Sequence, residues 1–135
     1  MKVTPYHLLL GSFFALTAVL LGAFGAHGLK DMLSTEQLLS FETGVRYQMY
    51  HALALIVLSM KGKEVHLIFA HWITACFSVG IVLFSFSIYL LNLQEALGVS
   101  LSWLGPVTPM GGLLLIAGWS LLFFNAVRLI LHKRK

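Results

Sequence analysis

A chain of 135 residues that is 59% hydrophobic and 10% charged, with a mean hydropathy of +0.88, cannot cover itself with a polar surface in water. Soluble domains carry about 25% charged residues. The net charge of +4 sits at the ends of apolar runs, not on a basic stripe, which argues against nucleic acid as a partner. The single cysteine, Cys76, rules out an intramolecular disulfide or a cysteine zinc cluster.

Crossing a bilayer takes roughly 20 apolar residues per helix. Four long apolar stretches therefore consume most of the chain, and the expected fold is a single all-α domain over residues 1–135, an integral membrane four-helix bundle. The first span is expected over about 5–29, with Thr4 as N-cap and Pro5 at the first helical position. Its run to about Ala26 exceeds the roughly 7–15 residues of a signal-peptide core, so a retained span is expected. Gly11, Ala15, Ala18, Gly22, Gly25 and Ala26 form a small-residue stripe at spacings of three and four. Such stripes let helix backbones approach closely in lipid, and this one should face the bundle.

Ser34 with Gln37 three residues later fits a capping box. An interfacial segment follows over about 35–44, where Leu38, Leu39 and Phe41 alternate with Glu36, Gln37 and Glu42. The second span is expected over about 44–60, either as one bent helix with that segment or as a second piece joined near Gly44. A polar turn from Met60 through Glu64 leads to a third span over about 66–93. Residues 94–106 read as a loop lying along the interface, and Gly105-Pro106 and Thr108-Pro109 introduce a fourth span over about 108–131. Gly111, Gly118 and Asn125 recur every seven residues there, a second close-packing face. Tyr89 and Trp103 suit the outer interface and Tyr6 and Trp72 the inner one; Trp119 falls near mid-span.

Four spans place both termini and the central turn on one side. That side carries Lys2, Lys61, Lys63, Arg128, Lys133, Arg134 and Lys135, and the other only Lys30 and Arg46. The positive-inside rule puts both termini in the cytoplasm, for a multi-pass protein of the bacterial inner-membrane type.

Ionisable groups within or beside spans carry a functional hypothesis by default. The candidate binding residues are His27, Glu42, Arg46, Tyr47, Gln48 and His51, all near the outer face. Glu42 and Arg46 are four apart, acid before base, the favoured helical order. Tyr47 and His51 are also four apart, and at 100° per residue the two pairs point to roughly opposite faces. One face cannot gather all four around one small ligand. Glu42/Arg46 reads as a structural ion pair or as a site for a lipid headgroup or small anion. His51 reads as a hydrogen-bonding group, a proton relay or a haem ligand. His27, His51 and His71 lie at different depths, so no paired haem ligation is expected. With no carboxylates at ligand spacing, no metal site is expected either. No Ser-His-acid order, Walker loop or dinucleotide fingerprint is present.

The runs Leu21-Gly22-Ala23-Phe24-Gly25-Ala26-His27-Gly28-Leu29 and Phe41-Glu42-Thr43-Gly44-Val45-Arg46-Tyr47-Gln48-Met49-Tyr50-His51-Ala52-Leu53 resemble the transmembrane protein 256-like family. The later runs Val82 to Leu90 and Val107 to Gly112 are similar to that family's third and fourth span signatures. The resemblance implies a small four-helix membrane protein and brings no activity with it. Where the family pattern reads Phe-Ser-Gly-Ser, this chain has Phe86 in place of the glycine, so a close helix contact is not expected there.

With no complete catalytic set, a non-enzymatic role without a cofactor is expected: an accessory or assembly component of a larger membrane complex or homo-oligomer, embedded in lipid. The alternatives are a binding protein for a lipid or quinone-like molecule at the outer face, and an oligomeric transporter or channel subunit.

Overall fold

The computed structural model describes residues 5–60 and 67–133. The N-cap expected at Thr4, the Lys61–Glu64 turn, His66, Lys2 and the last two basic residues lie outside the described residues. The elements are helical: α1 (Pro5–His27), α2 (Thr35–Met60), α3 (Leu67–Ile81), a π-helical turn (Val82–Phe86), α4 (Ser87–Leu93), a 3-10 turn (Ser102–Leu104) and α5 (Val107–Lys133). No strand occurs among the described residues. This is an all-helical membrane bundle.

α1 and α2 form a long antiparallel hairpin, and α5 packs mainly on α3 and the π turn. Gly11 explains how closely the hairpin fits. A Cβ at that position would lie 2.8 Å from Ile56 Cγ1 and 2.9 Å from the Ala52 carbonyl oxygen. Along the same stripe Ala18 is fully buried, and Gly22 and Gly25 face Val45 and Phe41. The small-residue stripe of α5 is likewise turned inward. A side chain at Gly111 would run into the backbone of Phe84, one at Gly118 would meet the Phe77 ring, and Asn125 in line with them is buried. Packing in lipid rests on such backbone approach rather than on expulsion of water.

Two apolar cores fill the bundle. Phe14, Leu55, Ile73, Phe77, Ile81 and Leu115 join α1, α2, α3 and α5. A second core, of Leu29, Leu33, Phe41 and Tyr89, lies under the α1–α2 connection. That connection starts α2 with the expected capping box: the Ser34 backbone N–H donates to Gln37 Oε1 at 2.8 Å and the Gln37 N–H to Ser34 Oγ at 3.2 Å.

Three features bear on the sequence reading, the first by taking its single-helix alternative and the other two by differing from it. α2 runs unbroken through Gly44, whose missing side chain makes room for the Tyr89 ring, 2.7 Å from where a Cβ would stand. α2 is also not among the stretches long and apolar enough to cross a bilayer, which are Pro5–His27, Phe69–Leu93 and Ser102–Leu131. Its polar groups are the reason, and the buried ones among them are hydrogen-bonded inside the bundle. Third, Tyr89 is 4% exposed. It belongs to the second core, not to an interfacial aromatic belt.

The third helical rod carries the π turn where α5 crosses it at Gly111. A π turn frees carbonyls from the ordinary helical ladder. Ser87 Oγ lies 2.6 Å from the Leu83 carbonyl oxygen and 2.9 Å from that of Phe84, and 2.7 Å from Thr108 Oγ1. Phe86, the bulky residue where the family pattern has glycine, packs edge-on against Tyr89 with ring centroids 5.7 Å apart.

Candidate functional site

Gln48 is fully buried at the centre of the hairpin. Its amide nitrogen donates to the Phe14 carbonyl at 2.9 Å and to Thr17 Oγ1 at 2.7 Å, both on α1. Its oxygen accepts the Tyr89 hydroxyl at 2.9 Å from α4. One side chain thus ties three elements together with its polar groups satisfied, as burial in hydrocarbon demands. Asn92 adds a second tie, donating to Ser40 Oγ at 3.0 Å and to the Ile88 carbonyl at 2.8 Å.

His51 is 4% exposed. Its Nδ1 lies 2.6 Å from the Tyr47 carbonyl oxygen, an acceptor only, so Nδ1 carries the proton. Nε2 is then free to accept the indole N–H of Trp119 at 3.0 Å. The ring also packs edge-on against Phe77 at 5.1 Å. This is a neutral histidine with both nitrogens engaged, an anchor of α5 to α2. Tyr47, on the same side of α2, lies against Phe84 with ring centroids 4.9 Å apart.

On the opposite side of α2 lies a groove of about 490 Å³ between α1 and α2. α1 supplies Gly22, Gly25 and Ala26, the connection supplies Lys30, and α2 supplies Leu38, Leu39, Glu42 and Arg46. The glycines leave the floor shallow in side chains, and the leucines make its walls apolar. At the mouth Arg46 Nη2 pairs with Glu42 Oε2 at 2.9 Å, with the side chains 51% and 56% exposed. Exposed pairs of this kind are worth about 0–1 kcal/mol, so neither partner is locked.

The six residues singled out from the sequence therefore fall in four places. Glu42 and Arg46 line the groove and pair with each other. Tyr47 and His51 face the π turn, α3 and α5. Gln48 is locked in the hairpin. His27 ends α1, exposed, and does not line the groove. Lys30, which completes the groove, read from the sequence only as an orientation charge. Tyr89 and Trp119, the partners of Gln48 and His51, carried no signal beyond their ability to donate one hydrogen bond from an apolar body. No group of three or more histidine, cysteine, aspartate or glutamate side chains able to hold a metal occurs among the described residues.

The fold and its interior define a small helical membrane protein with a polar-pinned core and a lateral groove. Residues 21–112 match the family model described as "Protein of unknown function (DUF423)", and the chain belongs to that family. It is 40% identical over 125 residues to the UPF0382 membrane protein YwdK of Bacillus subtilis, covering 90% of this chain and 95% of the relative. It is 37% identical over 123 residues to the UPF0382 membrane protein SH2409 of Staphylococcus haemolyticus, covering 91% and 96%. It is 38% identical over 117 residues to the UPF0382 inner membrane protein YgdD of Escherichia coli K12, covering 87% and 83%. No solved structure matches this chain. The matched segment holds the groove residues, Gln48, His51 and Tyr89, and ends before Trp119.

Proposed function

We propose that this protein is a non-enzymatic membrane bundle that holds a lipid-like or quinone-like amphiphile in the α1–α2 groove. The observation that carries the reading is the groove's two-part chemistry: an apolar, glycine-floored cleft with Lys30, Arg46 and Glu42 along it. Pockets that hold small molecules are mostly apolar with a few placed polar groups, and this one opens between two helices of the bundle. The proposed setting is a bacterial inner membrane, as for the Escherichia coli relative, with both termini cytoplasmic and the groove at the outer face. The narrower likeness to transmembrane protein 256-like proteins belongs to the same proposal.

The accessory-subunit reading draws less support, because the small-residue faces that suggested it are occupied within the bundle at Gly11, Gly111 and Gly118. A transport path along the hairpin is opposed by Gln48, which fills the site where such a path would run. A haem at His51 would need Nε2, which holds the Trp119 indole.

Native mass spectrometry after gentle extraction from the native membrane tests the reading. A retained small molecule is expected, and Ala26→Trp, which fills the groove from an exposed position, should remove it. Equal retention by Ala26→Trp, or a bare bundle, would reject the groove. A protein companion of defined mass would favour the accessory reading instead.

A further inference from the structure

We infer that His7 and His71 form a binding site for a transition-metal cation of the zinc or copper kind, at the end of the bundle opposite the groove. The inference is independent of the groove reading. His7 lies on the buried face of α1, in line with Gly11, Phe14 and Ala18 at spacings of three and four. A polar side chain on a close-packing stripe in a membrane needs a partner. His7 is 5% exposed, yet among the described residues its buried Nδ1 has no hydrogen-bond partner. The ring faces a second imidazole instead. His71 of α3 stands with its ring centroid 6.3 Å away and its plane at 79° to that of His7.

Helix packing does not account for this pairing, because α1 packs mainly on α2, and α3 mainly on α5. One turn further along α3, Thr74 is buried, and its Oγ1 also has no partner among the described residues. Thr17, Thr43 and Ser120, by contrast, return their hydroxyls to the carbonyl four residues back. His71 and Thr74 stand about 60° apart around the helix, so the nitrogen and oxygen donors gather on one side of α3.

The donor chemistry selects the ion. Neutral imidazole suits zinc, copper and nickel, whereas magnesium and calcium take carboxylate, carbonyl and water oxygens. The basic residues gathered in sequence at this end disfavour a cation held by charge alone, so the site relies on lone-pair donation from nitrogen. At a metal–nitrogen distance of about 2.0–2.1 Å, two imidazoles on one ion stand about 5–6 Å apart, centroid to centroid. Rotation of the exposed His71 side chain closes the site without moving a helix. Water fills the remaining positions, and the Thr74 hydroxyl is placed to hold it as an outer partner. Tyr6 and Trp72, the sequence neighbours of the two histidines, are 75% and 62% exposed, as suits a membrane interface. The ion therefore enters from water and not through lipid.

The test uses the full chain without a polyhistidine tag, in nanodiscs, titrated with Zn²⁺ alone against a chromophoric chelator. Binding of one ion per chain is expected, with Zn²⁺ raising the unfolding temperature and Mg²⁺ at the same concentration leaving it unchanged. His71→Gln, at an exposed position, should fold as the wild type does and lose both the binding and the thermal shift. His7→Gln should lose the binding as well, and Thr74→Val should weaken it about tenfold, the size of an outer partner. Undiminished Zn²⁺ binding by His71→Gln, an equal thermal shift with Mg²⁺, or no binding by the wild type would overturn the site.

Discussion

Gln48 shows how a polar residue is kept inside an apolar hairpin: both amide hydrogens and the oxygen have partners on α1 and α4. Gln48→Leu preserves volume but leaves the Tyr89 hydroxyl buried without its acceptor. A loss of about 1–2 kcal/mol is expected, at the lower end of the cost of stranding a buried polar group, because interhelical hydrogen bonds in membranes average about 0.6 kcal/mol. Tyr89→Phe removes one bond and leaves the amide its α1 partners, so about 0.6 kcal/mol is expected. Reversible unfolding in mixed micelles would measure both, and equal losses would contradict the three-way tie. The His51–Trp119 bond is tested by a double-mutant cycle with His51→Phe and Trp119→Phe. A coupling of about 0.5–1.5 kcal/mol is expected, and a value near zero would remove the indole from the account.

At the scale of elements, the glycines of α1 and α5 differ from the glycine of a turn. Gly111 is pressed against the Phe84 backbone, which cannot move aside as a flexible side chain can. Gly111→Ala should cost about 1–3 kcal/mol by overpacking. Gly98 stands in open space but has φ +64°, so Gly98→Ala should cost only about 1 kcal/mol, from backbone strain. Thermal melts of the two variants should rank in that order. The stripe containing Gly11 and the Gly111–Gly118–Asn125 stripe were legible because close packing leaves a spacing of three, four or seven in the sequence. The Ser34–Gln37 capping box was legible for the same reason, since its chemistry is local. The π turn was not, because hydrogen-bond slippage within a helix leaves no periodic signature. Tyr89 was misplaced because an amphipathic ring suits both a membrane interface and a buried hydrogen bond. Half of the candidate groove was legible in the Glu42–Arg46 spacing. The other half, Lys30 and the floor at Gly22 and Gly25, depends on how α1 returns along α2, which no spacing within one helix reveals.

For the whole molecule, the basic residues make a directional prediction. Reporter fusions at both ends should read as cytoplasmic, and a tag placed in the 94–106 connection should be reached from the opposite side. Opposite sides for the two termini would leave an odd number of crossings and overturn the four-span topology. α2, the most polar of the long helices, would then be the element to reassign, since it alone falls outside the set apolar enough to cross by composition. The π turn has a consequence for the chain as a whole. A π turn is equivalent to one residue inserted into an α-helix, and each residue of α-helix turns the chain by about 100°. Because the wider turn absorbs that residue, deleting one residue within 82–86 would let the rod close as uninterrupted α-helix with everything beyond it in nearly the same phase. Tyr89 would keep Gln48 and Asn92 would keep Ser40, while the carbonyls of Leu83 and Phe84 that Ser87 Oγ meets would return to the ordinary ladder. The five residues from Val82 to Phe86 thus act as a local widening where α5 crosses at Gly111, and a chain one residue shorter there would keep its topology and its interior ties while losing the bed on which α5 lies.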